Sequence, residues 1–297
     1  MKNNVHIRSL LSSMLITMMV PAVAEATIRS YEAPLNNSRW EMTVSTPLEC
    51  RLSHPVPGYG VANFYRQSGN GPEGFYMKTF DKPDQLPTVT VRSMPPPWMH
   101  GASGKVLAQL AMAPGTMPIN LNADQSYRVI SELRRGLFPT FSFKDPISAQ
   151  QKYQVALSTV GFRQGWRDWQ SCVTSLLPYR FPQVSDSVIR FAYDSTRLNE
   201  SSKDRLEQVR QYLEVDPSVV VRIEAHTDAI GVKRYNWALS RKRAQRVQNF
   251  LARNGLDAKR FVIKNYGYDR PIANNLTEKG RSENRRVYVR LKRKKNY

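Results

Sequence analysis

The stretch Ala225-His226-Thr227-Asp228, continued through Ile230-Gly231 to Asn236, Leu239-Ser240 and Arg243-Ala244, decides how the second half of the chain is read. Ahead of it, residues 218–224 form a β-branched run that predicts a strand. Behind it, residues 235–253 carry a helical pattern ended by Asn254-Gly255, a good stop signal. Asp228 therefore falls at a strand end and Arg243 on the following helix. A lone carboxylate after a strand is usually a turn cap, and a lone arginine on a basic helix is usually a solvated face. As a pair they offer one charge of each sign. A zwitterionic amino-acid head group needs that arrangement, because its ammonium and its carboxylate each require a charge-assisted partner.

Outward from this stretch the alternation continues. Residues 188–191 read as a strand and 199–213 as a helix with Leu206, Val209 and Leu213 at helical spacing, after which Pro217 punctuates. Residues 261–265 and 287–291 supply two more strands, with a short helix around 277–284. Strands alternating with helices define an α/β domain over 188–293, with helices on a mixed sheet. Residues 178–187, with Pro178 and Pro182 and little periodicity, are placed as a linker.

From 27 to 177 the composition shifts toward Pro, Gly, Trp and Tyr, with short alternating apolar stretches at 40–44, 75–80 and 88–91. Turn signals separate them: Pro57-Gly58, Gly69-Asn70-Gly71-Pro72, Pro95-Pro96-Pro97 and Pro114-Gly115. This predicts a mostly antiparallel β domain, sandwich-like or barrel-like, with helices only over 123–135 and 168–177.

Residues 1–26 read as an export signal. Lys2 and Arg8 precede an apolar run over 10–20, and Ala22-Val23-Ala24 and Ala24-Glu25-Ala26 offer small residues for cleavage near Ala24 or Ala26. The run falls short of the roughly 20 residues that span a bilayer. Roughly 270 residues remain, enough for two domains of ordinary size. In an oxidising compartment Cys50 and Cys172 favour one disulfide closing a long loop, contributing about 3 to 5 kcal/mol; in a cytosolic protein two buried thiols would be the better reading. Neither cysteine adjoins the cleavage site, which argues against a lipid anchor. A formal charge of +20 raises nucleic acid as a partner. Export argues against it and turns the same field toward anionic wall polymers, lipid head groups or an acidic protein. The tail Lys292-Arg293-Lys294-Lys295 is read as a solvated end.

Signals for catalysis are thin. Gly69-Asn70-Gly71-Pro72-Glu73-Gly74 has the spacing of a dinucleotide fingerprint, but Pro72 and the lack of a following helical pattern make it a hairpin turn. The four histidines are widely separated, with no metal-ligand spacing, and His54 and His100, beside Pro or Gly, are expected to be exposed. No nucleophile elbow occurs. The expectation is a protein that is no enzyme and uses no metal or cofactor.

The run Asn236-x-x-Leu239-Ser240-x-x-Arg243-Ala244-x-x-Val247, with Gly267-x-x-x-Pro271-Ile272-Ala273 and Asn284-Arg285-Arg286-Val287, resembles the OmpA-like peptidoglycan-binding domain over roughly 188–291. Ala225 departs from the glycine that family usually places before His-Thr-Asp. The resemblance implies a reversible clamp for the diaminopimelate of a peptidoglycan stem peptide. In it Asp228 takes the ammonium and Arg243 the carboxylate, the start of the helix lends backbone N–H groups, and Thr227, Asn236, Thr196 and Arg285 are secondary contacts.

The first domain resembles the MotY family of flagellar motor proteins through Tyr31-Glu32-Ala33-Pro34, Thr46-Pro47-Leu48-Glu49-Cys50, His54-Pro55-Val56-Pro57, Ser93-Met94-Pro95-Pro96-Pro97-Trp98, Ile130-Ser131-Glu132-Leu133 and Phe138-Pro139-Thr140-Phe141. That resemblance includes both cysteine positions. It implies a periplasmic T-ring component that docks to the basal body and a MotX-like partner, supports PomA/PomB-type stators indirectly, and holds peptidoglycan. Trp98 and Phe138 are then either protein-contact residues or lids over the β core. The rival readings are a generic periplasmic wall anchor with no motor role and a peptidoglycan hydrolase, for which no catalytic cluster is visible.

Overall fold

The computed structural model describes residues 27–293 apart from 84, 97, 98, 100–103 and 146–150. The expected export signal, Trp98, His100 and the end of the basic tail lie outside the described residues. In the first half, β1 (Thr27–Tyr31), β2 (Glu41–Ser45), β3 (Glu49–Val56), β4 (Gly60–Gln67), β5 (Glu73–Thr79), β6 (Thr88–Met94), β7 (Lys105–Ala111) and β8 (Ile119–Leu121) precede helix α1 (Ala123–Arg134). They are followed by β9 (Phe138–Lys144), β10 (Gln151–Ala156) and helix α2 (Phe162–Thr174). The strands form two five-stranded sheets, β2-β3-β4-β5-β8 and β1-β10-β9-β6-β7. Every pairing is antiparallel except that of β1 with β10.

Period-2 patterning drives this. Leu52, Phe64, Phe75 and Met77 from one sheet meet Val89, Val91, Phe141 and Val155 from the other in a single apolar cluster. Phe75 stacks on Phe141 with ring centroids 5.4 Å apart, joining the sheets. The glycine-rich run at 69–74 links β4 to β5 as a hairpin connection, with Gly69 and Asn70 at positive φ (60° and 52°). Cys50 in β3 is bonded to Cys172 in α2, tying the helix to an interior strand.

Two expectations for this half are corrected, and one left open between two readings is decided. Helix α2 starts at Phe162 rather than near 168, because Gly161 in the left-handed region opens it without any side-chain cap. His54 is not exposed: it lies in β3 with 0% exposure, stacks on Trp40 at 4.6 Å, and shares a 2.8 Å hydrogen bond between Nδ1 and the Arg39 carbonyl. Burial accordingly lowers its pKa. Pro55 beside it is tolerated because pairing with β2 ends at Ser53, so no ladder donor is missing on that side. Phe138 is 4% exposed and belongs to the interior.

The second half comprises α3 (Phe181–Val184), β11 (Asp186–Arg190), α4 (Glu200–Val215), β12 (Val219–His226), α5 (Lys233–Leu251), β13 (Phe261–Gly267), α6 (Glu278–Asn284) and β14 (Arg286–Arg293). Its sheet runs β11-β14-β12-β13, with β12–β13 parallel and the other pairs antiparallel, which is the expected mixed sheet. Asn199 and Thr277 cap α4 and α6 through their side chains. Leu206, Val209 and Leu213 of α4 and Ala244, Val247 and Leu251 of α5 bury against Val219, Val221, Ile223, Val287 and Val289. This packing turns the inward side of α5 toward the end of β12, where the charged residues gather.

Residues 178–187 contain α3 and supply Tyr179 and Val184 to this second core. Leu177 is held to the first half by two backbone bonds, its N–H donating to Pro47 O at 2.8 Å and its carbonyl accepting from Gly69 N–H at 2.9 Å.

Candidate functional site

Strand β12 ends at His226, and the chain turns through Thr227, Asp228 and Gly231 (φ 92°) into α5. A positive φ is strained for most L-residues, which gives Gly231 its place in this tight entry. Asn236, in the first turns of α5, fixes the turn by donating Nδ2–H to Ile230 O at 2.9 Å. From the other side Ala229 N–H donates to Asn275 Oδ1 at 3.1 Å. Asn284 in turn accepts from Ile272 and Ala273 N–H and donates to Ala273 O, so its amide shapes the 272–275 loop.

Arg243 points inward from α5 and is 0% exposed. Its Nε–H donates to Ser195 O (2.9 Å), one terminal nitrogen to Ala192 O (3.0 Å) and the other to His226 O (3.3 Å), while the guanidinium lies 5.1 Å over the Phe191 ring. Burial and the neighbouring Arg285 charge lower its pKa to about 10, against the pull of Asp228, so it stays cationic at neutral pH. A guanidinium has five N–H donors, and these three bonds leave one on each terminal nitrogen. Two parallel N–H groups are what a carboxylate accepts best.

Asp228, 4% exposed, is paired directly with Arg285 rather than with Arg243: Arg285 donates to Oδ2 at 3.0 Å, and Ile230 N–H donates to Oδ1 at 3.3 Å. Arg285 also bonds Glu278 at 2.7 Å and Phe191 O at 3.3 Å. Burial works to lower the Arg285 pKa, but the hydrogen bonds and charges of Glu278 and Asp228 outweigh it and raise it. Glu278 is held below the usual carboxylate range by Arg285 and Arg281. Each Asp228 oxygen still has acceptor capacity for a donor such as an ammonium.

Of the remaining expected residues, Thr227 is buried with its hydroxyl oxygen unpartnered among the described residues, though its N–H donates to Gly267 O at 2.8 Å. Thr196 is half-buried on the 191–198 loop that Arg243 grips. Exposed Tyr193, Ile230, Val232, Tyr235, Ile272 and Leu276 lie on the loops and helix start around this cluster. Sequence reasoning did not single out Glu278. Its only signal was its place in the first turn of the capped helix α6. Among the described residues no group of three or more His, Cys, Asp or Glu side chains is placed to hold a metal ion.

A carboxylate and a guanidinium set at the mouth of a β-turn-α unit, on a mixed sheet with helices on one side, define an OmpA-like domain, and residues 190–285 match the OmpA family. Residues 31–178 match the MotY N-terminal domain. The chain belongs to the MotY family: it is 33% identical over 267 residues to the sodium-type flagellar protein MotY of Vibrio parahaemolyticus, covering 89% of this chain and 91% of that one. Over the second half, it is 36% identical across 103 residues to the outer-membrane lipoprotein YfiB of Pseudomonas aeruginosa, 35% of this chain and 61% of that protein. Among solved structures, the peptidoglycan-associated lipoprotein from Burkholderia pseudomallei is 28% identical, with a TM-score of 0.34 over 35% of this chain and 89% of that one.

Proposed function

We propose that this flagellar motor protein is a structural component of the periplasmic T-ring. In this reading residues 27–177 dock to the basal body and a MotX-like partner, and residues 188–293 hold peptidoglycan, so that PomA/PomB-type stators gain a fixed ground. The observation that carries it is the joining of a MotY N-terminal region to an OmpA-family domain in one chain, in the same order as a flagellar MotY. Asp228 receives the ammonium of a diaminopimelate stem peptide and Arg243 its carboxylate, with Arg285 orienting Asp228 and Thr227, Asn236 and Thr196 lining the approach. Non-covalent binding fits a site that keeps an unused N–H on each terminal nitrogen of Arg243 and spare lone pairs on Asp228, since both ends of the ligand can be met by charge-assisted hydrogen bonds. The experiment is to purify basal bodies from cells with and without the protein. The proposal expects a ring and the MotX-like partner to disappear together. Unchanged basal bodies, with wall binding intact, would favour the generic anchor.

A further inference from the structure

The sheet of the second half has two unlike faces. One carries the valines and isoleucines that bury against α4 and α5. The strand register sets what the other carries, because directly paired residues point the same way. Across the sheet its first row is Asp186, Arg290, Arg222 and Val262. The second row is Val188, Tyr288, Glu224 and Lys264, and the third is built on Arg190 paired with Arg286, beside His226 at the end of β12. This face is open to solvent at its edges, where Val188 and Val262 are 40% and 50% exposed.

Its middle is a rigid array of aromatic rings and guanidinium groups. Arg286 and Arg290 lie 4.9 and 4.6 Å from the Tyr288 ring centroid, and Arg270 lies 4.0 Å from that of Tyr266. His226 stacks on Tyr266 at 5.1 Å and meets Tyr288 edge-on at 5.8 Å. Glu224 is shared between Arg222 and Arg290. Three buried nitrogens on this face have no hydrogen-bond partner among the described residues: Nδ1 of His226, which is 4% exposed, Nε of Arg286, which is 2% exposed, and Nε of Arg222. Polar groups buried and unpaired within one small area call for a hydrogen-bond partner from outside the chain.

We propose that this face docks an acidic segment of another protein, one carboxylate of which is seated at His226 between Tyr266 and Tyr288. Cations outnumber carboxylates across it, which selects a negative partner. Five of the cations are arginines, and three of them lie 4.0, 4.9 and 4.6 Å from a tyrosine ring centroid, contacts that reduce the side-chain freedom lost when they take a carboxylate. Arginine and tyrosine bordered by exposed valines also make the composition of a protein-binding patch. A lipid surface would instead call for long mobile lysines and apolar groups free to insert. The face lies on the opposite side of the sheet from α5, its His226 end bordering the proposed wall site through the His226 carbonyl that Arg243 binds. Burial and the charges of Arg286, Arg270 and Arg290 hold the His226 pKa down to about 4, so a carboxylate arriving there must raise it.

The test uses the full chain with a labelled decaglutamate peptide at physiological salt. Two variants of equal net charge are compared: Arg190→Glu with Lys264→Glu on the face, and Arg241→Glu with Arg246→Glu on exposed positions of α5. The expected result is about a tenfold or larger loss of affinity in the face variant, less than about threefold in the α5 variant, and a rise of the His226 pKa on binding, read by histidine NMR. Equal losses in both variants, an unmoved His226, or binding to phosphatidylglycerol vesicles without binding to the peptide would each overturn the proposal.

Discussion

Replacing Asp228 with asparagine separates charge from shape at the proposed wall site. The amide is nearly isosteric with the carboxylate, so its oxygen can still accept from Ile230 N–H or from Arg285, which sit 3.3 and 3.0 Å away in the native site. Arg285 is not stranded, because Glu278 remains 2.7 Å away. The usual cost of breaking a buried pair is therefore softened, and stability should fall by about 1 to 3 kcal/mol. Ligand binding should suffer more than the fold. Asparagine offers no negative charge to an ammonium, and removal of one partner of a desolvated charge pair costs about 2 to 5 kcal/mol. Arg285 already competes for that carboxylate, which places the loss at the lower end, about 2 to 3 kcal/mol, or roughly 30- to 150-fold in Kd. Titration with a diaminopimelate-containing stem peptide, alongside sedimentation with purified sacculi and a thermal melt, measures both quantities. A variant that melts normally and binds within about threefold of the native protein would refute the role given to Asp228.

Removal of the Cys50–Cys172 bridge by serine at both positions should destabilise the first half by about 3 to 5 kcal/mol, given the 122-residue separation, while sacculus binding persists; differential scanning calorimetry with and without reductant checks this, and an unshifted first transition would count against it. His226 holds its extra proton only below about pH 4 when folded but below about 6.5 when unfolded, so the unfolded state is favoured as pH falls through that window. Stability should drop by at most about 3 kcal/mol from this source, a slope that urea melts should find flattened in His226→Gln; parallel slopes would contradict it. A Cβ at Gly280 would stand 1.9 Å from the Asn274 carbonyl, so Gly280→Ala should cost about 1 to 3 kcal/mol, loosen the Glu278–Arg285 contact and weaken wall binding. An unchanged melting point would show that the 272–275 loop yields freely.

Capped and periodic elements were legible in the sequence, as α4 and α6 show, because Asn199 and Thr277 advertise their starts. Helix α2 was not, since Gly161 opens it by backbone geometry alone. His54 was misread for a related reason. The two prolines that follow it, Pro55 and Pro57, signal a loop, and only the distant Trp40 ring and Arg39 carbonyl make a buried strand of it. At the candidate site the motif letters brought out Asp228, Arg243 and Arg285 but not their pairing. Asp228 and Arg285 are 57 positions apart, and which cation meets the carboxylate is settled by where β14 begins relative to β12. The cationic sheet face was invisible as such: its arginines are scattered along three strands and the loop after β13 and read in the sequence only as net charge.

Under the proposed function the chain carries mechanical load, and the bridge between Cys50 and Cys172 sets one route for it. A pull on the chain beyond Leu177 is met first by the backbone bonds of Leu177 to Pro47 and Gly69 and then, just inside the end of α2, by Cys172, whose sulfur bridge passes it into β3, an interior strand flanked by β2 and β4. Tension then acts along paired strands instead of unwinding α2 from its end. The 122 residues of separation are bypassed, so about 400 Å of chain that an unbridged domain would release under stress stays out of reach. Such a tether remains short under strain, and a short tether holds its two ends at a nearly fixed distance.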